Sequence, residues 1–214
     1  MPLPLSLIRT SLGKKYLSAA TACLLSAFLL VHLAGNAVSF FGGAAYNAYA
    51  ALLKALGPLL IIPEAVLALA FAVHVAMGVL LFIENRRARP CHYVANSRNK
   101  SVVSSSPMLY SGVVILIFIL GHLIQFHPAR DLPGVAALVK ATLSQPAIGL
   151  WYLGSLAALG LHLRHGLWSL TQSCGITFPR HTTPLLYGQA SGIFISAAFM
   201  LIVILSLLSD SFLR

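Results

Sequence analysis

Four histidines carry the first chemical signal in this chain. His32, His74, His122 and His162 each stand well inside a long apolar run, where an ionisable side chain is costly and usually functional. One such residue is equally well explained by a hydrogen bond between helices; four, on four separate runs, favour a shared ligand role. With each run taken as a helix, His32 lies 17 residues past Lys15 and His122 16 past Ser106, both about 25 Å from one membrane boundary. His74 lies 12 residues before Arg86 and His162 10 before Gln172, about 15 to 18 Å from that boundary.

Two level pairs of imidazoles on different helices suit two bis-histidine haems stacked across a bilayer. A zinc site draws three or four His, Cys or carboxylate ligands to one point, and neither level offers a matching carboxylate or thiol cluster. A proton relay along the four imidazoles is the competing reading. No Cys-x-x-Cys-His motif is present, since Cys91-His92 follows Ala88 where the first cysteine is needed, so a haem here is non-covalent and b-type. Gly78 and Gly166 stand four residues after His74 and His162, and Gly35 three after His32. They leave room for a flat macrocycle beside each ring, or serve ordinary packing of membrane helices.

The elements that position these residues follow from composition. Only 8% of the 214 residues are charged and 58% are apolar, against about a quarter charged in soluble domains. That excludes a water-soluble enzyme, a disordered tail and a disulfide scaffold. Five stretches reach the roughly 20 apolar residues that cross a bilayer: 16–41, 58–83, 107–126, 146–170 and 185–208. Pro58, Pro107 and Pro146 open three of them, where a missing N–H costs nothing, and Pro63 offers the second helix another start. The first run is too long for a signal-peptide core and carries His32 and Asn36, so it reads as retained.

Ten Lys and Arg, including Lys14, Lys15, Arg86, Arg87 and Arg89, fall at one side, and Lys54, Arg130, Lys140 and Arg214 at the other, which predicts a cytoplasmic N-terminus. The net charge of +10 is therefore topological, and no nucleic acid is expected. The basic loop 84–106 is a candidate docking surface or a lipid-touching topology signal. Cys23, Cys91 and Cys174 are scattered and odd in number, which predicts reduced thiols. The expected architecture is all-α: one polytopic domain over 1–214, its five transmembrane helices bundled around two haems.

Several motifs match a known family. His32-Leu33-x-x-Asn36, His74-x-x-x-Gly78, His122-Leu123, and His162-x-x-x-Gly166-Leu167-Trp168-Ser169 followed by Gly175-Ile176-Thr177 together resemble the single-chain, five-helix dihaem cytochrome b subunit of succinate:quinone oxidoreductases, including menaquinol:fumarate reductases. The likeness covers nearly the whole chain. It implies that His32 and His122 ligate the outer haem iron and His74 and His162 the inner one, the pairing that depth gives independently. It also implies an anchor in a bacterial cytoplasmic membrane for an iron-sulfur subunit and a flavoprotein, passing electrons between a quinone and the succinate/fumarate couple. No dinucleotide fingerprint or cysteine cluster occurs in the chain, so FAD and iron-sulfur clusters belong to the partners. Two alternatives stay open: a cytochrome b anchor for a hydrogenase or formate dehydrogenase, and a haem-free proton-coupled transporter.

A quinone site is expected beyond the outer haem, at Gln125-Phe126-His127-Pro128-Ala129-Arg130-Asp131. Quinone chemistry moves two protons and needs an ionisable exchanger, for which Glu64 and His127 are the candidates; Glu64 in a first helical turn also suits the macrodipole alone. Gln125, Phe126, Arg130 and Asn36 are candidates to line the quinone or outer haem, and the expected substrate is menaquinone or another membrane quinone, the type left open. Trp151, Tyr152, Tyr46 and Tyr49 read as interfacial belt residues. Arg164, Gln172 and Lys15 are inner candidates for haem propionates, and Lys54 or Arg130 outer ones.

His165, one turn from His162, is the lesser ligand candidate because the glycine spacing and the family word favour His162. His92 and His181 fall in loops. Some fumarate reductases of the family carry a glutamate two residues before the fourth-span ligand as a proton route, and here that position is Gly160. Turnover without that route is expected to be electrogenic, which a potential dye in proteoliposomes tests.

Overall fold

Apolar runs in lipid must satisfy their backbone polar groups internally, and only helices do so within one segment. The computed structural model describes residues 10–88, 106–127, 134–173, 183–209 and 211–213, and every regular element among them is helical. Five helices are long and apolar enough to cross a membrane: α1 (Ser11–Ala37), α3 (Ile61–Arg87), α4 (Ser106–Phe126), α6 (Pro146–Ser173) and α7 (Thr183–Leu208). The expected five spans are all present, and the chain is a multi-pass membrane protein.

Their starts obey local chemistry. Thr10 caps α1 by accepting the Gly13 N–H at 3.1 Å, and Pro146 opens α6 as its first residue. A 3₁₀ turn at Gly57–Leu60 carries Pro58, and α3 begins after it with Pro63 and Glu64 in the first turn. The helix α1 begins before the expected residue 16, at the Thr10 cap, and its first turn carries Lys14, buried in an ion pair with Glu84 of α3.

Two short helices were not expected. α2 (Gly43–Ala55) joins the first two spans and α5 (Val135–Leu143) the third and fourth. Both are too short to cross a bilayer, and a search for apolar runs passes over them. Gly42 makes the turn into α2 at φ +96°, a conformation that favours glycine. α5 buries Ala136, Val139 and Leu143 on one stripe, and Asn47 of α2 caps it by accepting the Ala136 N–H at 2.9 Å. Lys140 donates to the Ser206 and Ser209 carbonyls at the end of α7 at 2.7 and 2.5 Å, placing a cation where the helix dipole is negative. These helices close one end of the bundle, the capped end; Lys14, Lys15, Arg86 and Arg87 mark the other, the basic end.

Packing divides the spans into two groups. α6 and α7 meet most extensively, along Gly188, Gly192 and Ser196 of α7, spaced by four. A Cβ on Gly192 would stand 2.7 Å from the Arg164 backbone nitrogen, so only glycine allows this approach. Ser196 Oγ donates across the contact to the Leu156 carbonyl at 2.5 Å. Leu156, Leu159, Leu163, Ile195 and Val203 form the core with the α5 stripe. α4 packs on α6, and α3 on α1, whereas α3 and α4, neighbours in sequence, hardly touch. A thinly packed seam therefore separates α1–α3 from α4–α6–α7.

Candidate functional site

The four histidines meet in pairs across that seam. His32 of α1 and His122 of α4 have ring centroids 5.9 Å apart, and His74 of α3 and His162 of α6 have centroids 6.3 Å apart. An imidazole nitrogen binds a first-row metal at about 2 Å and lies about 1 Å from its ring centre, so trans imidazoles on one ion have centroids about 6 Å apart. Both pairs match that spacing. Among the described residues no group of three or more His, Cys, Asp or Glu comes together; a haem brings four nitrogens of its own and asks the protein for two.

Hydrogen bonds fix the ring orientation at three of the four. His74 Nδ1 lies 3.3 Å from the Ser18 carbonyl and 3.4 Å from Thr21 Oγ1. His162 Nδ1 lies 3.1 Å from Ser111 Oγ, which donates to the Met108 carbonyl at 3.1 Å. His122 Nδ1 lies 3.3 Å from the Tyr152 hydroxyl, which donates to Gln125 Oε1 at 2.5 Å. Metal-binding histidines typically donate their second N–H to a carbonyl or carboxylate in this way, which leaves Nε2 to bind. His32 departs from the pattern: its Nε2 lies 3.4 Å from Asn36 Nδ2, which also donates to the His32 carbonyl at 2.9 Å.

The two levels stand farther apart than the depth count gives. Ser111, which touches the His162 pair, and His122 are 11 residues apart on α4; His162 and Tyr152, which touches His122, are 10 apart on α6. Either ruler separates the centres by about 15 Å, against about 7 to 10 Å from the depth count. The count treated Lys15, Ser106, Arg86 and Gln172 as one plane, and helices of unequal overhang do not end on one.

The glycines divide. A Cβ on Gly78 or Gly166 would meet open space, leaving room beside His74 and His162. Gly35 does not leave such room: it is buried under the Tyr49 side chain, so its role is helix packing. Gly160 faces Ser196, whose Oγ would lie 3.0 Å from an added Cβ. A glutamate there would collide with α7.

Aromatic rings enclose the capped-end pair. Phe28 stacks on His32 at 5.4 Å and Phe199 tilts against it at 5.7 Å, while Phe118 and Phe126 lie 5.7 and 5.2 Å from His122. Phe126 is thus beside a candidate iron ligand. Tyr152 is not a belt residue: it is only 5% exposed and bonded between His122 and Gln125, whereas neighbouring Trp151 is exposed. Composition gave no hint of this, but Tyr152, 20 residues before Gln172, lies within about a turn of the depth counted for His122. Tyr46 donates to Asn36 Oδ1 at 3.2 Å, and burial, with Tyr49 beside it, pushes its phenol pKa up, so it remains a donor.

Glu64 and His127 come together at the capped end, with Nε2 and Oε2 3.9 Å apart and side chains 44% and 52% exposed. They join the start of α3 to the residue following α4 across the open seam. Lys54 sits in the last turn of α2, on the same end. Arg130 lies outside the described residues, as do His92, His181, Cys91 and Cys174 and the side chain of Gln172.

At the basic end Lys15 is exposed beside the buried Lys14, and Arg164 is exposed on α6. His162, not His165, faces His74; His165 turns to Trp168 with centroids 5.6 Å apart. A cleft of about 540 Å³ between α1, α6 and α7 is lined by residues such as Ser26, Leu30, Thr171 and Phe194 and holds none of the four histidines. The histidine pairs lie elsewhere along the seam, outside that cleft. Neither a family model, a curated protein nor a solved structure matches the chain.

Proposed function

We propose that the chain is the dihaem cytochrome b membrane subunit of a quinol:fumarate reductase or succinate:quinone oxidoreductase, in a bacterial cytoplasmic membrane with its N-terminus inside. One observation carries the reading: two imidazole pairs bridge a thinly packed seam with ring centroids 5.9 and 6.3 Å apart, a spacing at which each pair could hold one iron. His32 and His122 would hold one haem b, His74 and His162 the other. A haem so ligated supplies one-electron transfer between the quinone end and the iron-sulfur subunit.

The chain's own residues do the rest. Ser18, Ser111 and Tyr152 hold ligand rings in place, and the phenylalanines around His32 and His122 exclude water. Oxidation of a quinol to a quinone releases two electrons and two protons, and the half-exposed Glu64–His127 pair is placed to pass those protons to solvent. The basic end presents Lys15, Arg86 and Arg87 to the iron-sulfur subunit and flavoprotein, which carry the dicarboxylate chemistry. A proton relay is less well supported, because the hydrogen bonds of His74 and His162 end on the Ser18 and Met108 carbonyls rather than linking one pair to the other.

The test is a reduced-minus-oxidised spectrum of the purified protein with pyridine haemochrome stoichiometry. Two b haems per chain are expected, and none would return the histidines to a transport role. Co-purification of flavin and iron-sulfur subunits with succinate or fumarate activity separates this reading from a hydrogenase or formate dehydrogenase anchor.

A further inference from the structure

The Tyr152 hydroxyl stands between a candidate iron ligand and a candidate quinone donor, and the hydrogen-bond inventory orders the chain through it. A phenol has one proton to give. Its 2.5 Å contact with Gln125 Oε1 has the length of an O–H···O bond and is short for N–H···O, so that proton goes to Gln125. The phenol oxygen then accepts the Nδ1–H of His122 at 3.3 Å. The reverse order would have the Gln125 amide donate to Tyr152 and Tyr152 donate to Nδ1, leaving the His122 proton on Nε2, where no metal could bind. Burial and the edge-on ring of Phe118, 4.9 Å away, hold the phenol in this position.

We propose that Tyr152 is a positioning residue: it keeps His122 protonated on Nδ1 with Nε2 directed to iron, and by occupying Gln125 Oε1 it leaves the Gln125 amide NH₂ to donate to a quinone carbonyl. The inference rests on the function proposed above and adds a direct coupling between the capped-end centre and its substrate. An imidazole that donates through Nδ1 gives more electron density to its metal and favours the ferric state. Removing the acceptor raises the midpoint potential of that centre and leaves the other unmoved.

The experiment is potentiometric titration of Tyr152→Phe in the complete complex purified from membranes, with His122→Ala identifying which midpoint belongs to the capped-end centre. Tyr152→Phe is expected to keep two haems and to favour reduction at that centre by up to about tenfold, about 59 mV for one electron. The quinone KM is expected to rise severalfold as Gln125 loses its orientation. Wild-type protein without haem overturns the function and this inference together; two haems with both midpoints and the KM unchanged in Tyr152→Phe overturns this inference alone. Should Tyr152→Phe not fold, Gln125→Leu keeps the phenol and probes the same chain from its other end. A capped-end midpoint and a quinone KM both unchanged there overturn the proposal equally.

Discussion

The two histidine pairs share four helices and nearly the same ring spacing, 5.9 against 6.3 Å, yet their surroundings differ in kind. At the basic end the ring nitrogens are tied to Ser18 and to Met108 through Ser111, so each tether closes on a backbone carbonyl within one turn of helix. At the capped end the tether runs outward through side chains, His122 to Tyr152 to Gln125, inside a shell of aromatic rings and near the Glu64–His127 pair. A backbone tether fixes a ring and responds to nothing beyond it. A side-chain tether can pass the state of neighbouring groups to the ring it holds, which would suit the proposed centre nearest a quinone.

The largest test of that contrast is to remove one ligand at a time. His74→Ala and His122→Ala should each lose one haem of two and keep the other, read by pyridine haemochrome, because the centres lie about 15 Å apart on separate tethers. Loss of both haems from either variant would break the comparison by making the centres one cooperative unit. The next effect in size belongs to the capped end alone. Glu64→Gln removes the exchangeable proton and keeps the shape, so quinol oxidation should fall about a hundredfold while both haems and both midpoints stay as they were. A shifted midpoint would instead place Glu64 in the electrostatics of the haem rather than in proton exchange.

Sequence reading went furthest where one residue carried the signal. A histidine within an apolar run is visible at once, and counting rise along alternating helices paired His32 with His122 and His74 with His162, the pairs that meet. It misjudged their separation because helix overhang is set by tertiary packing, as the burial of Lys14 against Glu84 shows. It missed α2 and α5 because short amphipathic helices lack the run length that marks a span. Tyr152 escaped because its role depends on which face of α6 turns to α4, and a tyrosine near a helix end has the same composition whether it meets lipid or a histidine. Gly35 shows the same limit from the other side: its spacing copies that of a glycine beside a haem, and only the fold reveals Tyr49 over it.

The glycines turn this limit into a paired test. Gly192→Leu would drive a side chain into the backbone of α6, 2.7 Å from the Arg164 nitrogen, and should cost about 1–3 kcal/mol as overpacking, read as a lower unfolding temperature in detergent with or without haem. Gly166→Leu meets open space and replaces a poor helix former with a good one, so the haem-free chain should be no less stable. Its effect should be confined to haem content at the basic-end centre. Equal destabilisation by both substitutions would mean that the space beside His162 is packed rather than held for a ligand.

The smallest expected effect sharpens the contrast between tethers most. Ser111→Ala removes the hydroxyl beside His162 Nδ1, just as Tyr152→Phe removes the one beside His122. The outcomes should nevertheless differ, because the Met108 carbonyl that accepts from Ser111 lies within a helical turn of it, is freed by the substitution and is itself untouched. With an acceptor still in reach, Nδ1 keeps its proton and Nε2 its direction, so the basic-end midpoint should move by clearly less than the capped-end midpoint moves in Tyr152→Phe. The quinone KM should not change at all. A shift as large as that in Tyr152→Phe would show that the hydroxyl, not the carbonyl, sets the ligand, and both centres would then be tuned by side chains alike.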